Sequence, residues 1–275
     1  MWLFLILIVC IIIYFIWIRK FKVPKTGSLV LITGGVKCGK STLSVHIVQK
    51  NYKRNLRHVK FVNFFRTIFR KELLEEPLIY SNVPLNTLPY VPITYDLLLR
   101  KTRFRKGSIV YIQEASLVAD SQLVKNMELN NEMLIFYKLI GHELGEGGTM
   151  VVDTQVISDL HYSIKRSCSQ YFYVHHSKSL FLLPWVVVYL RELMYSEDSA
   201  TNVINTDLED DLKKVLVPKK VWKLFDAYAY SSLTDYLSIE DNVVEAVSLK
   251  VNPKDFVTFN PYRKEQFKKY AEKNN

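Results

Sequence analysis

A chain of 275 residues is long enough for one α/β domain of ordinary size together with an appendage. The net charge is +10, and no Asp or Glu precedes Glu72, so this basic part of the chain favours an anionic partner such as phospholipid or nucleic acid. The three cysteines, Cys10, Cys38 and Cys168, are scattered and odd in number, which excludes a disulfide framework and a cysteine metal site.

The chain begins with an apolar run from Trp2 to Ile18 that contains no Gly, Pro or charged residue. At about 1.5 Å per helical residue the run spans roughly 26 Å, the short end of what crosses a bilayer. Lysines and an arginine follow from Arg19 to Lys25. The positive-inside rule then predicts a single-pass protein in the cell membrane, with the N-terminus outside and residues 19–275 in the cytoplasm. A cleaved signal peptide is disfavoured because no charged start and no small-residue cleavage site are present.

A juxtamembrane linker is predicted over 19–27. The buried-strand pattern from Ser28 to Thr33 follows it and leads directly into a glycine-rich loop. The loop matches G-x-x-x-x-G-K-[ST], and a helical pattern from Thr42 to Gln49 follows it, so the order is strand, loop, helix. Loops of this kind hold phosphate on backbone N–H groups beside a helix N-terminus. The sequence therefore predicts a site for ATP and Mg²⁺ formed by nine consecutive residues: Gly34, Gly35, Val36, Lys37, Cys38, Gly39, Lys40, Ser41 and Thr42.

Three side chains of this loop have predicted roles. Lys40 is expected to reach the β- and γ-phosphates and is therefore also a catalytic candidate. Ser41 is expected to place its hydroxyl on Mg²⁺. Cys38 lies near the helix N-terminus, which is expected to lower the pKa of its thiol. Alkylation of Cys38 is therefore expected to block nucleotide binding, with an inert small residue as the alternative.

The stretch from Lys50 to Lys71 interleaves basic residues with phenylalanines. One interpretation is an amphipathic helix that lies on anionic lipid. Another is a helix packed on the core with a solvated basic face. Its nearness in sequence to the predicted anchor slightly favours contact with membrane or nucleic acid.

A second buried strand is predicted from Gly107 to Ile112, and Gln113 and Glu114 follow it. In many P-loop ATPases this strand ends in Asp-Glu, where the Asp holds Mg²⁺ through water and the Glu polarises the attacking water. Gln113 therefore occupies the metal position with a neutral amide, and Glu114 occupies the position of the general base. Nucleotide binding is consequently better supported than hydrolysis.

A third strand, predicted from Thr149 to Val152, ends in Asp153, Thr154 and Gln155. A polar residue at this place commonly contacts the γ-phosphate or the attacking water, so Gln155 is a catalytic candidate. Asp153 is a candidate substitute for the missing metal carboxylate.

Three further segments complete the α/β interpretation. Ser169 to Tyr195 is rich in β-formers and predicts a buried hairpin. The acidic stretch from Tyr195 to Asp211 predicts a linker, and Leu212 to Tyr236 has the periodicity of a helix. The predicted organisation is therefore an anchor over 1–18, a linker over 19–27, an NTPase domain over 28–195 and a helical region over 196–275.

Three segments carry a resemblance to a known family. They resemble segments of zonula occludens toxin-like proteins, the assembly ATPases of filamentous phages. The three segments are Leu78–Leu85 (LIYSNVPL), the strand end Ile112–Ala115 (IQEA), and Phe136–Ser158 with His142, Gly145, Thr154 and Gln155. The resemblance covers roughly Leu29 to Val174.

The resemblance implies a mainly parallel, RecA-like P-loop NTPase sheet of the FtsK/HerA type, a ring of identical subunits and a role in phage assembly and extrusion at the inner membrane. Two features depart from the family: Gln113 replaces an acidic residue, and the predicted membrane helix is N-terminal instead of following the ATPase domain. An exported C-terminal tail is therefore not expected.

The predicted function is an ATPase that drives virion assembly and extrusion, DNA packaging or DNA translocation. Its expected partners are ATP, further copies of the chain, membrane lipid, and phage DNA or other assembly proteins. Two alternatives remain open: a nucleotide-gated membrane scaffold that does not hydrolyse ATP, which Gln113 favours, and a small-molecule kinase. Glu114 and Gln155 favour the ATPase.

Overall fold

A computed structural model describes residues 21–93, 97, 103–115, 127–157, 160, 162–181, 183–193 and 212–225. The described elements are, in chain order, β1 (Leu29–Thr33), α1 (Lys40–Ile68), β2 (Ile79–Ser81), β3 (Val91–Pro92), β4 (Ile109–Ile112), α2 (Met127–Leu144), β5 (Thr149–Thr154), α3 (Tyr162–Ser167), β6 (Gln170–Ser179), β7 (Trp185–Leu193), β8 (Lys213–Pro218) and a 3₁₀ helix, η1 (Lys219–Leu224).

The described strands form one eight-stranded sheet in the order β3-β2-β4-β5-β1-β6-β7-β8. The strands from β3 to β6 run parallel, whereas β7 and β8 add in antiparallel fashion. The fold is therefore mixed α/β with a mostly parallel sheet, as the sequence predicts. The β6–β7 pair confirms the predicted hairpin.

Side-chain alternation along β1 divides the core into two layers. Leu29 and Leu31 face one side and pack with residues of α2 and α3, while Val30 and Ile32 face the other side and pack with α1. All four are essentially inaccessible to solvent. Covering both faces of a parallel sheet with helices is the arrangement that such continuous apolar strands require.

The order of the strands determines which loops meet. β1 lies between β5 and β6, and β4 lies directly beyond β5. Because β1, β5 and β4 are parallel, their carboxyl ends reach the same edge of the sheet. The glycine-rich loop, Glu114 and Gln155 follow these three ends, so the fold brings them together.

Helix α1 is longer than the sequence predicts, because it continues from the phosphate loop to Ile68. Its first half is packed on the sheet, where the Asn55 side-chain amide donates to the carbonyl oxygens of Gly107 and Gly147 at 2.8 and 2.6 Å. Its second half extends beyond these contacts, and Phe61 and Phe64 are 64% and 62% exposed. The basic stretch is therefore partly a packed helix and partly an exposed one.

The predicted localisation requires correction. Among the described residues, none of the helices has the length and apolar character needed to cross a membrane. Helix α1 is long enough, but it carries Lys50, Arg54 and Arg57 along its middle turns. This finding contradicts the predicted single-pass topology, with the N-terminus outside and the NTPase domain in the cytoplasm. The predicted anchor, residues 1–18, lies outside the described residues.

The predicted helix over Leu212–Tyr236 is wrong in its first part. Lys213–Pro218 is strand β8, which pairs with β7, and only the short 3₁₀ helix η1 follows. Val215 and Val217 are buried against the α1 side of the sheet, where β-branched residues fit a pleated surface. The predicted linker and residues 226–275 lie outside the described residues, so the division at 195 stays a prediction.

His46, on the packed half of α1, makes the stability of the fold depend on pH. Burial lowers the pKa of its imidazole to about 4 from the ordinary 6.5, and the nearby Lys50, Lys220 and Lys53 act in the same direction. Its Nδ1 is buried without a hydrogen-bond partner among the described residues. The folded chain therefore holds His46 neutral, whereas the unfolded chain takes up a proton below pH 6.5.

We expect the free energy of unfolding to be unaffected by His46 above pH 6.5 and to fall as the pH drops towards 4, by at most about 3 kcal/mol. Urea unfolding of the wild type and of His46→Gln at a series of pH values measures this effect. The variant should show a flatter dependence, while His58→Gln, an exposed change on the same helix, should keep the wild-type slope. Equal slopes for all three proteins would contradict a neutral His46.

Candidate functional site

The phosphate loop has a backbone that glycine alone adopts without strain at two places. Gly34 has φ of 153° and Gly39 has φ of 102°. A Cβ at Gly34 would come within 2.5 Å of the Val174 carbonyl oxygen, and one at Gly39 would come within 2.6 Å of the Ser177 side chain. The loop therefore lies directly against β6, and the glycines permit both the turn and this close approach.

Gly39 is the N-cap of α1, and no side chain caps the helix there. The first N–H groups of a helix have no partner within the helix, and they carry part of the positive end of its dipole. Lys40 and Ser41 begin the first turn at this point. The nine predicted residues, 34–42, thus form one continuous loop and helix start of the kind that binds phosphate.

Lys40, Glu114 and Gln155, each a predicted site residue, meet at the edge of the sheet. The Lys40 ammonium lies 2.7 Å from Glu114 Oε1, and the Gln155 side-chain amide donates to the same oxygen at 3.2 Å. Lys40 is 6% exposed and Glu114 is 24% exposed. A carboxylate that can act on a water therefore stands beside the lysine that a phosphate loop directs at its ligand.

Gln113 lies in a more buried environment than the adjacent Glu114. Its side chain is buried, and its Oε1 lies 3.4 Å from the Tyr111 hydroxyl, whose single proton is donated to Asp153 at 2.8 Å. Its backbone is held on both sides by Asn82, whose Nδ2 donates to the Gln113 carbonyl at 2.9 Å and whose Oδ1 accepts from the Gln113 N–H at 2.8 Å. Asn82 therefore fixes the strand end, which explains a fully buried asparagine at this position.

Asp153 lies beneath Glu114 and is fully buried. Its Oδ1 accepts a hydrogen bond from the backbone N–H of Glu114 at 3.1 Å, and its Oδ2 accepts one from the Tyr111 hydroxyl at 2.8 Å. Burial raises the pKa of the Asp153 carboxyl, while the charge of Lys40 and the Glu114 N–H oppose that rise. Both carboxylate oxygens therefore have partners from the chain itself.

The structure brings two polar residues into the site to which sequence reasoning gave no role there: Tyr111 and Asn82. Tyr111 lies in a strand whose sequence is otherwise apolar, so the sequence did not indicate that its hydroxyl takes part in the site. Asn82 stood out within the segment Leu78–Leu85 as part of the family resemblance, but nothing in its local sequence indicated that it binds the Gln113 backbone.

The predicted low pKa of the Cys38 thiol is corrected by the structure. Burial raises its pKa, and this effect exceeds the opposing hydrogen bond and charge of Lys40. The side chain is only 7% exposed, since it packs beneath the loop beside Gly34. The partial charge of the helix N-terminus therefore does not make Cys38 a reactive thiolate.

Three solved structures similar to this chain were compared with it. The N-terminal domain of zonular occludens toxin from Neisseria meningitidis is 15% identical, with a TM-score of 0.45, and the match covers 74% of this chain and 100% of that one. The genome packaging NTPase B204 from Sulfolobus turreted icosahedral virus 2, with ATP-gammaS, is 11% identical over 62% and 98% of the two chains, with a TM-score of 0.32. The KaiC-like protein PH0186 from Pyrococcus horikoshii OT3 is 13% identical over 62% and 81%, with a TM-score of 0.34.

No protein-family model and no curated protein matches the sequence. A zonular occludens toxin domain is among the structures to which this chain is similar, and the resemblance noted in the sequence is to the same family.

We expect Lys40→Ala to weaken ATP binding by roughly 10²-fold or more, because it removes the phosphate-facing charge and leaves Glu114 and Asp153 without their cation. Titration with a fluorescent ATP analogue measures the affinity. Lys138→Ala, at an exposed position of α2, serves as the control and should bind as the wild type does. An unchanged affinity in Lys40→Ala would refute the assignment of the phosphate loop.

We expect the Cys38 thiol to react with Ellman's reagent far more slowly in the native protein than in urea, and ATP to slow the reaction further. The reason is that thiolate is the reacting form and burial disfavours it. Two double variants assign the signal to one thiol each: Cys10→Ser with Cys168→Ser retains only Cys38, and Cys10→Ser with Cys38→Ser retains only Cys168. Native reaction at the rate of the unfolded chain would contradict this expectation.

Proposed function

We propose that this chain is a P-loop NTPase that binds ATP with Mg²⁺ and hydrolyses it. In this proposal the loop over 34–42 binds the phosphates, and Lys40 contacts the terminal phosphates. Glu114 is the general base, and Gln155 orients the attacking water or contacts the γ-phosphate.

One observation carries the proposal: the carboxylate of Glu114 lies 2.7 Å from the Lys40 ammonium and also accepts from Gln155. A lysine of a phosphate loop reaches the β- and γ-phosphates. A base within about 3 Å of that lysine is therefore within reach of a water that approaches the γ-phosphate, and the base must lie within hydrogen-bond distance of the proton that it removes.

Glu114 is held in place by the same lysine that would bind the substrate. Its Oε1 is shared by Lys40 and Gln155, so ATP that attracts Lys40 would leave the carboxylate with the neutral Gln155 amide. Release of Lys40 would free this oxygen to accept a hydrogen bond from the attacking water. Substrate binding would in this way make the base available.

The residues of the loop also fit Mg²⁺. Gly34 and Gly39 leave no room for a Cβ because the loop packs on β6 at these residues, whereas the space beside Gly35 is open, so a ligand can approach the backbone there. Ser41 would hold Mg²⁺ through its hydroxyl, and Gln113 would do so through its amide oxygen, both of which are hard oxygen donors. Mg²⁺ would there neutralise charge on the phosphate oxygens.

The finer proposal is that a ring of these subunits uses ATP to drive phage virion assembly and extrusion, DNA packaging or DNA translocation. It rests on the resemblance in sequence of the Asn82 segment and of the segment that contains Thr154 and Gln155. DNA and other assembly proteins are the proposed partners in that process.

A second candidate is a nucleotide-gated scaffold that binds ATP and does not hydrolyse it. The buried neutral amide of Gln113 favours it, because the position that usually carries a metal-orienting carboxylate carries no charge here. The two candidates differ in one measurable quantity, the rate at which bound ATP releases phosphate.

We expect Glu114→Gln to retain ATP binding and to lose turnover by roughly 10²- to 10⁴-fold, the usual contribution of a general base. Phosphate release at saturating ATP, with and without single-stranded DNA, measures this. Glu146→Gln, an exposed change in the loop before β5, is the control and should keep the wild-type rate. Equal rates for the wild type and Glu114→Gln would eliminate Glu114 as the base, and no turnover in the wild type would favour the scaffold.

We expect Gln113→Asp to lower the Mg²⁺ concentration that gives half-maximal turnover, with a turnover rate equal to or above that of the wild type. A carboxylate stabilises a metal-bound water more than a neutral amide does. Titrating Mg²⁺ at fixed ATP measures this shift. A raised Mg²⁺ requirement would show that position 113 is not a metal position.

A further inference from the structure

We propose that Asp153 and Tyr111 are positioning residues that hold Glu114 in its catalytic conformation through the Glu114 backbone N–H. This inference deepens the proposed function and rests on Glu114 as the base. It assigns Asp153 a different role from that of a substitute metal carboxylate.

The backbone of Glu114 requires such a support. Its φ is 50°, in the left-handed region that a residue with a Cβ rarely occupies. A non-glycine residue persists there only where the surroundings over-determine its conformation. The Asp153 side chain accepts a hydrogen bond from the Glu114 N–H at 3.1 Å, and this bond fixes the peptide from the β5 side.

The peptide is also fixed from its other side. The Asn82 side chain bonds both the N–H and the carbonyl oxygen of Gln113, from the loop that follows β2. The strand end is therefore held between Asn82 and Asp153, one from each neighbouring strand. This arrangement directs the Glu114 side chain towards Lys40 and Gln155, which contact its Oε1.

Tyr111 in turn holds Asp153. The Tyr111 hydroxyl donates to Asp153 Oδ2 at 2.8 Å and is fully buried beneath the phosphate loop. Burial and the charge of Asp153 raise the Tyr111 pKa well above its ordinary value, so the hydroxyl keeps its proton and remains a donor. With both oxygens engaged and no exposure to solvent, Asp153 is placed to support the peptide and not to bind a metal.

Substitutions at Asp153 can separate the effect of its hydrogen bond to the Glu114 N–H from the effect of its negative charge. Asp153→Asn removes the charge but keeps an oxygen that can accept from the Glu114 N–H, whereas Asp153→Leu removes the acceptor as well. Tyr111→Phe removes the hydroxyl that donates to Asp153 and that also lies 3.4 Å from Gln113 Oε1. Tyr80→Phe, a buried tyrosine on the neighbouring strand whose hydroxyl accepts from the Arg105 N–H, is the matched control outside the site.

The experiment measures ATP turnover, affinity for a fluorescent ATP analogue and amide hydrogen exchange of the peptide 109–115 in the full chain. We expect Asp153→Leu to reduce turnover by roughly 10²-fold, the size of loss that a displaced catalytic group causes. The Glu114 amide hydrogen should exchange faster in this variant, while its affinity for the ATP analogue should change little. Asp153→Asn should stay within about fivefold of the wild type, and Tyr111→Phe should fall between the two variants. Tyr80→Phe should keep wild-type turnover. In a Glu114→Gln background, Asp153→Leu should cause no further loss, since the two residues act as one unit.

Two results would overturn the proposal. One is an Asp153→Asn variant as inactive as Asp153→Leu, because the charge and not the acceptor would then matter. The other is unchanged exchange of the Glu114 amide in Asp153→Leu. If the wild type hydrolyses no ATP, the proposed function fails, but the exchange measurement in Asp153→Leu and Asp153→Asn still decides whether Asp153 holds Glu114.

Discussion

The parallel pairing of β1 with β5, and of β5 with β4, is the constraint on which the rest of the structure depends. Val30 pairs with Val151, and Val151 pairs with Tyr111, so the three strands advance in step. Their carboxyl ends consequently deliver the phosphate loop, Gln155 and Glu114 to one edge. A shift of one residue in this register would turn Tyr111 and Asp153 to the opposite face of the sheet and remove the support beneath Glu114.

The Lys40–Glu114 ion pair follows from that register, but it is poor evidence for stability. Lys40 is almost fully buried, and removing a charge from water costs several kcal/mol that the attraction to a partly exposed carboxylate need not offset. A hydrophobic pair of similar volume would serve the fold as well. The pair is better understood through its consequence, which is to hold a lysine and a carboxylate together where the glycine-rich loop meets α1.

The sequence predicted what is local and missed what depends on distant segments. The order strand, loop, helix from β1 to α1 was readable because glycine, lysine and serine spacing reports backbone shape directly. Glu114 and Gln155 could be singled out from the sequence because each lies within three residues of the end of a predicted apolar strand. Strand β8 was missed because Val221 and Leu224 have helical spacing, and only pairing with β7 makes the preceding segment a strand. The hydrogen bonds of Asn82 and Tyr111 join residues that the sheet order brings together, and no local pattern encodes them.

The position of the second carboxylate changes what a neutral residue at 113 means. A site that ends in Asp-Glu carries two carboxylates side by side on one strand, and one of them serves the metal. Here the second carboxylate, Asp153, belongs to the neighbouring strand and lies below the peptide that carries Glu114. A second carboxylate therefore remains near Lys40, although it bonds the Glu114 backbone. Because Asp153 bonds the backbone, its effect on the site that we propose passes through the geometry of Glu114, so the neutral side chain at 113 does not by itself argue against the proposed hydrolysis.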